Sequence, residues 1–144
     1  MGVIVQAHGT WDGLHVGHVA HLQAARALGD ILIVTLTADK WVAKGDGRPV
    51  FPQEFRRAML LALKCVSDTI IIDAPGAEEA IYMVCPNIYV KGKEYDGWLS
   101  EQRFVESLGG RVVFLDTQPV YSSTRLLSGQ ELNARIEATR KRNA

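Results

Sequence analysis

The chain alternates short, wholly apolar runs with longer amphipathic stretches. Val3-Ile4-Val5-Gln6-Ala7, Ile31 to Leu36, Thr69 to Asp73, Ile88 to Lys91 and Arg111 to Leu115 carry apolar residues in succession. That is the pattern of parallel strands covered on both faces, not of strands with one wet side. Between them lie helical periods. Val19, Leu22, Ala25, Ala27 and Leu28 mark one side of a helix that Gly29 stops. Pro52 opens a second helix in which Phe55, Met59, Leu60, Leu63 and Val66 recur at helical spacing, with Arg56 and Arg57 near its start. Ala77 to Val84 predicts a short helix stopped by Pro86, and Gly97 to Leu108 one closed by Gly109-Gly110. Ser122 to Leu127 reads as a hydroxyl-rich cap opening a short helix, and Gln130 to Arg140 as a final one.

Strands alternating with helices predict one doubly wound α/β domain over residues 1–144, with a five-stranded, mostly parallel sheet. The ligand crevice of such a sheet lies beyond the carboxyl ends of its strands. This places residues 8–18, 37–48, 91–95 and 117–125 together. The polar, turn-rich run Lys44-Gly45-Asp46-Gly47-Arg48-Pro49 is then a loop over that edge.

Charge and composition narrow the partners. Sixteen basic and sixteen acidic residues balance, which argues against bulk attraction to nucleic acid or to an anionic membrane. No apolar run approaches the ~20 residues of a membrane span, and the start lacks the pattern of a signal peptide. Cys65 and Cys85 sit in apolar contexts and read as small buried hydrophobes in a reducing compartment. Both observations point to the cytoplasm.

All four histidines, His8, His15, His18 and His21, fall between positions 8 and 21, where the first strand turns into the first helix. A strand, a Gly-containing turn and a helix start offer backbone N–H groups and a favourable dipole to phosphate. His15 and His18, three apart, are able to face one ligand, and Gly17 permits close approach. A zinc site on His15, His18 and His21 lacks the cysteine or acidic cluster that would complete a tetrahedron nearby. His21, one turn further in, reads as a helix-surface or packing residue, and His8 is open to either role.

Gly9-Thr10-Trp11-Asp12-Gly13-Leu14-His15-Val16-Gly17-His18 resembles the signature of the cytidylyltransferase-like nucleotidyltransferases, with Trp11 where phenylalanine is usual. Leu28-Gly29-Asp30, Lys44 to Val50, Val90-Lys91-Gly92-Lys93-Glu94-Tyr95 and Tyr121-Ser122-Ser123-Thr124 are similar to further family blocks in family order. The resemblance implies a Rossmann-like domain whose acceptor oxygen attacks the α-phosphate of a nucleoside triphosphate and expels pyrophosphate. It implies that His15 and His18 contact the triphosphate, that Lys44 is a lid cation, and that Arg56 orients the acceptor phosphate; these are the catalytic set. Gly9, Thr10, Trp11 and Gly17 would hold phosphate, Ser122, Ser123 and Thr124 the β- and γ-phosphates, and Gly92, Lys93 and Tyr95 the base and ribose. Asp12 and Asp39 would face the acceptor. Mg²⁺ would arrive with the triphosphate, with no dedicated protein ligands. The same residues allow plainer roles: Thr124 as a helix cap, Lys44 as a solvated lysine, Asp12 bonding within its own turn, Arg57 paired with Glu54.

Among subgroups, the Lys-Gly-x-Gly-Arg-Pro-Val and Val-Lys-Gly-x-acid-Tyr blocks are most similar to the heptose-1-phosphate adenylyltransferase domain, with Glu94 where aspartate is common. That implies ATP and a phosphorylated sugar. The alternative is CTP with glycerol 3-phosphate or another polyol phosphate. Against it stand Tyr95 where that group has tryptophan and the absence of arginine from Thr117 to Tyr121. An alternative of another class is a nucleotide-binding module without catalysis. The implied partners are small molecules, with a homodimer by analogy and neither nucleic acid nor membrane.

Overall fold

A computed structural model describes residues 2–117 and 129–143. Its sheet has five strands, β1 (Ile4–Gly9), β2 (Ile31–Thr37), β3 (Asp68–Ile72), β4 (Ile88–Gly92) and β5 (Arg111–Leu115), in the order β3-β2-β1-β4-β5. Every neighbouring pair is parallel, so the sheet is parallel throughout and not merely in large part. The helices are α1 (Val16–Arg26), α2 (Gln53–Leu61), α3 (Glu78–Val84), α4 (Gln102–Ser107) and α5 (Gly129–Arg142). No helix among the described residues is long and apolar enough to cross a membrane.

Strand parity sorts the core into two layers. Val5 and Ala7 of β1 align with Leu32 and Val34 of β2 and with Ile88 and Val90 of β4. All six are buried and pack with Leu22 and Ala25 of α1 and Leu60 of α2. On the opposite face Tyr89 packs with Ile81 of α3 and with Val105 of α4. Gln6, His8, Thr35 and Lys91 share that second face by the same parity. The chain order reverses between β1 and β4, so the crevice outside their carboxyl ends is the natural ligand position.

Three features depart from the sequence pattern. In α2 the apolar spacing predicts an inward Phe55 and Met59, yet Phe55 is 63% exposed while Arg56 is fully buried. The helix turns its Arg56–Leu60 face to the core because the guanidinium finds backbone acceptors there. The helix expected from Gly97 begins only at Gln102. Gly97 takes φ +89, a left-handed conformation that breaks a helix, and it lets Leu99 turn into the core. Cys85 is exposed, not buried, because it ends α3 in a left-handed cap, whereas Cys65 is partly buried; both thiols are free.

Candidate active site

The His15–His18 motif is built by the start of α1 itself. His15 is the N-cap: its Nδ1 accepts from the Gly17 amide at 3.0 Å, and His18 Nδ1 accepts from the His15 amide at 3.2 Å. Reciprocal capping of this kind is usually made by Ser or Thr with Glu or Gln. Here two imidazoles make it, and they stack with ring centroids 3.8 Å apart. Because each Nδ1 is an acceptor, each neutral ring carries its proton on Nε2. A methyl group on Gly17 would lie 2.8 Å from the His15 ring, so glycine is what allows that ring to fold over the helix start.

Both rings line a cavity of about 380 Å³ at the carboxyl ends of β1 and β4. Gly9, Thr10, Trp11, Gly17 and Lys44 line it as well. Burial, then the neighbouring His15, His21 and Lys44, lower the His18 pKa to about 4. His18 is therefore a neutral donor at pH 7. Trp11 contributes chiefly structure: it takes φ +57, its indole is buried, and its Nε1 donates to the Thr35 carbonyl at 3.1 Å. The indole also meets the His18 ring in an edge-to-face contact, at 5.4 Å between centroids.

Three residues expected at the ligand instead shape the loops around it. The side chain of Arg56 has no exposed surface. Its guanidinium donates to the carbonyls of Phe51 (3.0 Å), Thr10 (2.8 Å) and Thr37 (2.8 Å) and to Asp39 (2.6 Å). It ties the glycine turn after β1, the end of β2 and the start of α2 together, and it does not reach the cavity. Asp39 accordingly compensates Arg56 and borders a separate hollow beside Gln53 and Asp73. Asp12 accepts from Arg48 Nε (2.8 Å) and from the amides of Val50 (2.8 Å) and Phe51 (2.9 Å). It thus anchors the loop that carries Lys44, across the cleft and not within its own turn. Burial opposes its ionisation, but these two amides and the Arg48 guanidinium outweigh that and hold its pKa at about 2.

The inner wall comes from β4 and adds a residue that motif reading passed over. Lys91, not Lys93, lines the cavity, together with Gly92, Glu94, Tyr95, His8 and His21. Lys93 turns outward to Asp116 at 3.6 Å, because β4 ends at Gly92 and a 3₁₀ turn over Lys93–Tyr95 breaks the strand's alternation. Lys91 Nζ donates to the His8 carbonyl at 3.0 Å and lies 5.3 Å from the Tyr95 ring centroid. Its pKa is lowered by burial, against the opposing pull of Glu101 and Glu94. Burial and the Lys91 charge in turn lower His8 to about 4, against Glu101, and they lower His21 as well. The sequence signal for Lys91 was the strand parity that puts it beside His8. Ser122, Ser123 and Thr124 lie outside the described residues. Among the described residues lining the cavity, Glu94 alone bears a carboxylate, a donor set suited to anions and not to a caged divalent cation.

A cavity of imidazole donors and lysines at a helix start, on the switch point of a parallel sheet, is suited to phosphate groups. Residues 7–129 match the family model described as cytidylyltransferase-like. The chain is 41% identical over 137 residues to the bifunctional protein HldE of Streptomyces coelicolor, covering 93% of this chain and 30% of that one. It is 40% identical over 128 residues to the HldE of Methylococcus capsulatus, covering 86% of this chain and 27% of that one. The chain thus spans under a third of these relatives. Among solved structures it is similar to a lipopolysaccharide core biosynthesis protein from Thermoplasma volcanium, with TM-score 0.70 and 29% identity over 83% of this chain and all of the other. Pantothenate synthetase from Thermus thermophilus shares the fold, with TM-score 0.55 and 18% identity over 90% of this chain and 64% of that one. By its residues, its site and these matches, the chain belongs to the cytidylyltransferase-like family of nucleotidyltransferases.

Proposed function

We propose that this chain transfers the adenylyl group of ATP to the phosphate of a sugar 1-phosphate of the heptose type, releasing pyrophosphate. The observation that carries the reading is the pair of Nε2–H donors that His15 and His18 present at the α1 N-terminus. An acceptor phosphate oxygen forms a new bond to the α-phosphorus while the bond from that phosphorus to the bridging oxygen breaks. Such a displacement calls for positioning and charge stabilisation and little proton transfer. The two imidazoles are fixed before substrate arrives, so they need no rearrangement as charge grows on the equatorial and leaving oxygens. Lys44 adds charge at the mouth, on a loop held by Asp12. Mg²⁺ would come with the incoming nucleotide and would supply charge neutralisation to its phosphates. Ser122, Ser123 and Thr124 are proposed to hold those phosphates.

ATP and a sugar phosphate are favoured by the two blocks around Lys44 and Lys91 and by the run of HldE relatives. Tyr95, with Gly92, is proposed to face the base and ribose. A thermal-shift titration with ATP, CTP, GTP and UTP, each with Mg²⁺, tests the nucleotide. Saturation at 100 times Kd adds about 2.7 kcal/mol to stability. A raised midpoint with ATP above the others is expected. A larger shift with CTP would redirect the acceptor to a polyol phosphate, and no shift with any would leave the enzymatic reading without support.

A further inference from the structure

Behind the His15–His18 pair, the cavity has a second polar wall that those two residues do not account for. His8 and Lys91 stand side by side there, on the same face of adjacent strands, one step beyond the Ala7–Val90 register pair. A buried hydrogen-bond relay fixes the His8 ring. Gln6 Nε2 donates to Thr35 Oγ1 at 3.0 Å, and Thr35 Oγ1 lies 2.9 Å from His8 Nδ1. The hydroxyl oxygen could accept from both neighbours, but its own proton would then have no acceptor among the described residues; donating that proton to His8 Nδ1 pairs every group in the relay. The alternative amide orientation would bury both Gln6 N–H groups without acceptors. As it stands, the Gln6 Oε1 is left without a partner among the described residues, and an orphaned carbonyl is the less costly choice. His8 consequently keeps its proton on Nε2, the ring nitrogen left for the cavity that this residue lines.

We propose that His8 Nε2–H and Lys91 Nζ form an inner anion subsite that takes a phosphoryl oxygen of a substrate. A neutral, oriented N–H beside an ammonium suits a phosphate oxygen: the lysine supplies charge and the imidazole direction. Among the described residues, Lys91 spends one N–H on the His8 carbonyl, which leaves two for a ligand. Among the described residues, the charged or titratable groups facing the pair are Glu101 and Glu94, which retain the ammonium, His21, and Tyr89 and Tyr95, whose ring centroids lie 5.9 and 5.3 Å from Lys91 Nζ. The proposal rests on the nucleotidyltransferase reading for its choice between sources: the α-phosphate of the nucleotide or the phosphate of the acceptor.

Lys91→Met, His8→Phe and His8→Asn, each checked for native circular dichroism, are to be titrated with ATP and Mg²⁺ by calorimetry and assayed for the Michaelis constant of the sugar 1-phosphate. Loss of about tenfold or more, typical of one charge-assisted contact, is expected with Lys91→Met and His8→Phe in one of these quantities. His8→Asn, which keeps a neutral N–H, should recover part of it. Loss in the ATP arm assigns the subsite to the nucleotide, and loss in the acceptor arm assigns it to the sugar phosphate. Native folding with both quantities within twofold of the wild type overturns the subsite. On the unaltered protein, ¹⁵N NMR should show His8 protonated at Nε2 and that signal moving when inorganic phosphate is added. A proton on Nδ1, or an unmoved signal, overturns it too. Because that readout needs neither ATP nor turnover, it separates failure of the subsite from failure of the catalytic reading.

Discussion

Replacing Arg56 with methionine should be among the most damaging single changes in this protein, although the side chain touches no ligand. Methionine keeps much of the stem volume but removes donors to three carbonyls, Phe51, Thr10 and Thr37, and to Asp39. Hydrogen bonds to a charged group contribute about 1.5–3 kcal/mol each, so a simple sum would run well above any single-site loss. Two effects reduce it. The Asp39 side chain is 41% exposed and re-solvates, and the loop carbonyls regain part of their hydrogen bonding from water that enters the gap. The expected loss is about 3–5 kcal/mol, the range for breaking a buried charge pair, out of a total of about 5–15 kcal/mol. Urea unfolding with an unchanged slope should report it. Since Arg56 also holds the Thr10 carbonyl, ATP affinity should fall in the surviving folded fraction. A loss under about 1 kcal/mol with native folding would refute the argument that this guanidinium joins the glycine turn, β2 and α2.

Other changes separate chemistry from scaffolding. His18→Ala should lower kcat by about 10²–10³, the range for loss of one preorganised donor, and weaken ATP binding far less; equal losses in both would reduce His18 to a binding group. Asp12→Ala frees Arg48 and the amides of Val50 and Phe51. It should speed proteolysis between residues 44 and 51 and raise the nucleotide KM about tenfold through Lys44, and an unchanged cleavage rate would contradict the anchoring role. His8 and His18 titrate near pH 4 in the folded protein and near 6.5 when unfolded. The unfolded chain therefore binds more protons between those values, so stability is complete above about pH 6.5 and falls as pH drops toward 4. The unfolding midpoint should decline over that window and decline less in His8→Asn; a flat profile would contradict neutral, buried imidazoles.

The strands were legible because a parallel sheet covered on both faces needs continuous apolar runs such as Ile31 to Leu36. The position of His15 and His18 was legible too, since a strand, a glycine turn and a helix leave few places for them. What local pattern could not show were contacts far apart in sequence. Asp12 reaches Arg48 and Phe51, and Arg56 reaches Thr10; nothing within one turn of any of these residues signals those pairs. A charged residue on α2 looked like a surface or ligand group because helix periodicity ranks it polar, and Phe55 looked buried for the converse reason. Lys91 and Lys93 are indistinguishable by composition, and only the end of β4 at Gly92 sends one inward and the other out.

The most direct test is pyrophosphate release by the purified chain with ATP or CTP, each paired with a sugar 1-phosphate or with glycerol 3-phosphate. The account predicts release with ATP and the sugar 1-phosphate, abolished in a chain carrying both His15→Ala and His18→Ala. Release that survives the double substitution, or none with any pair despite tight ATP binding, would contradict it.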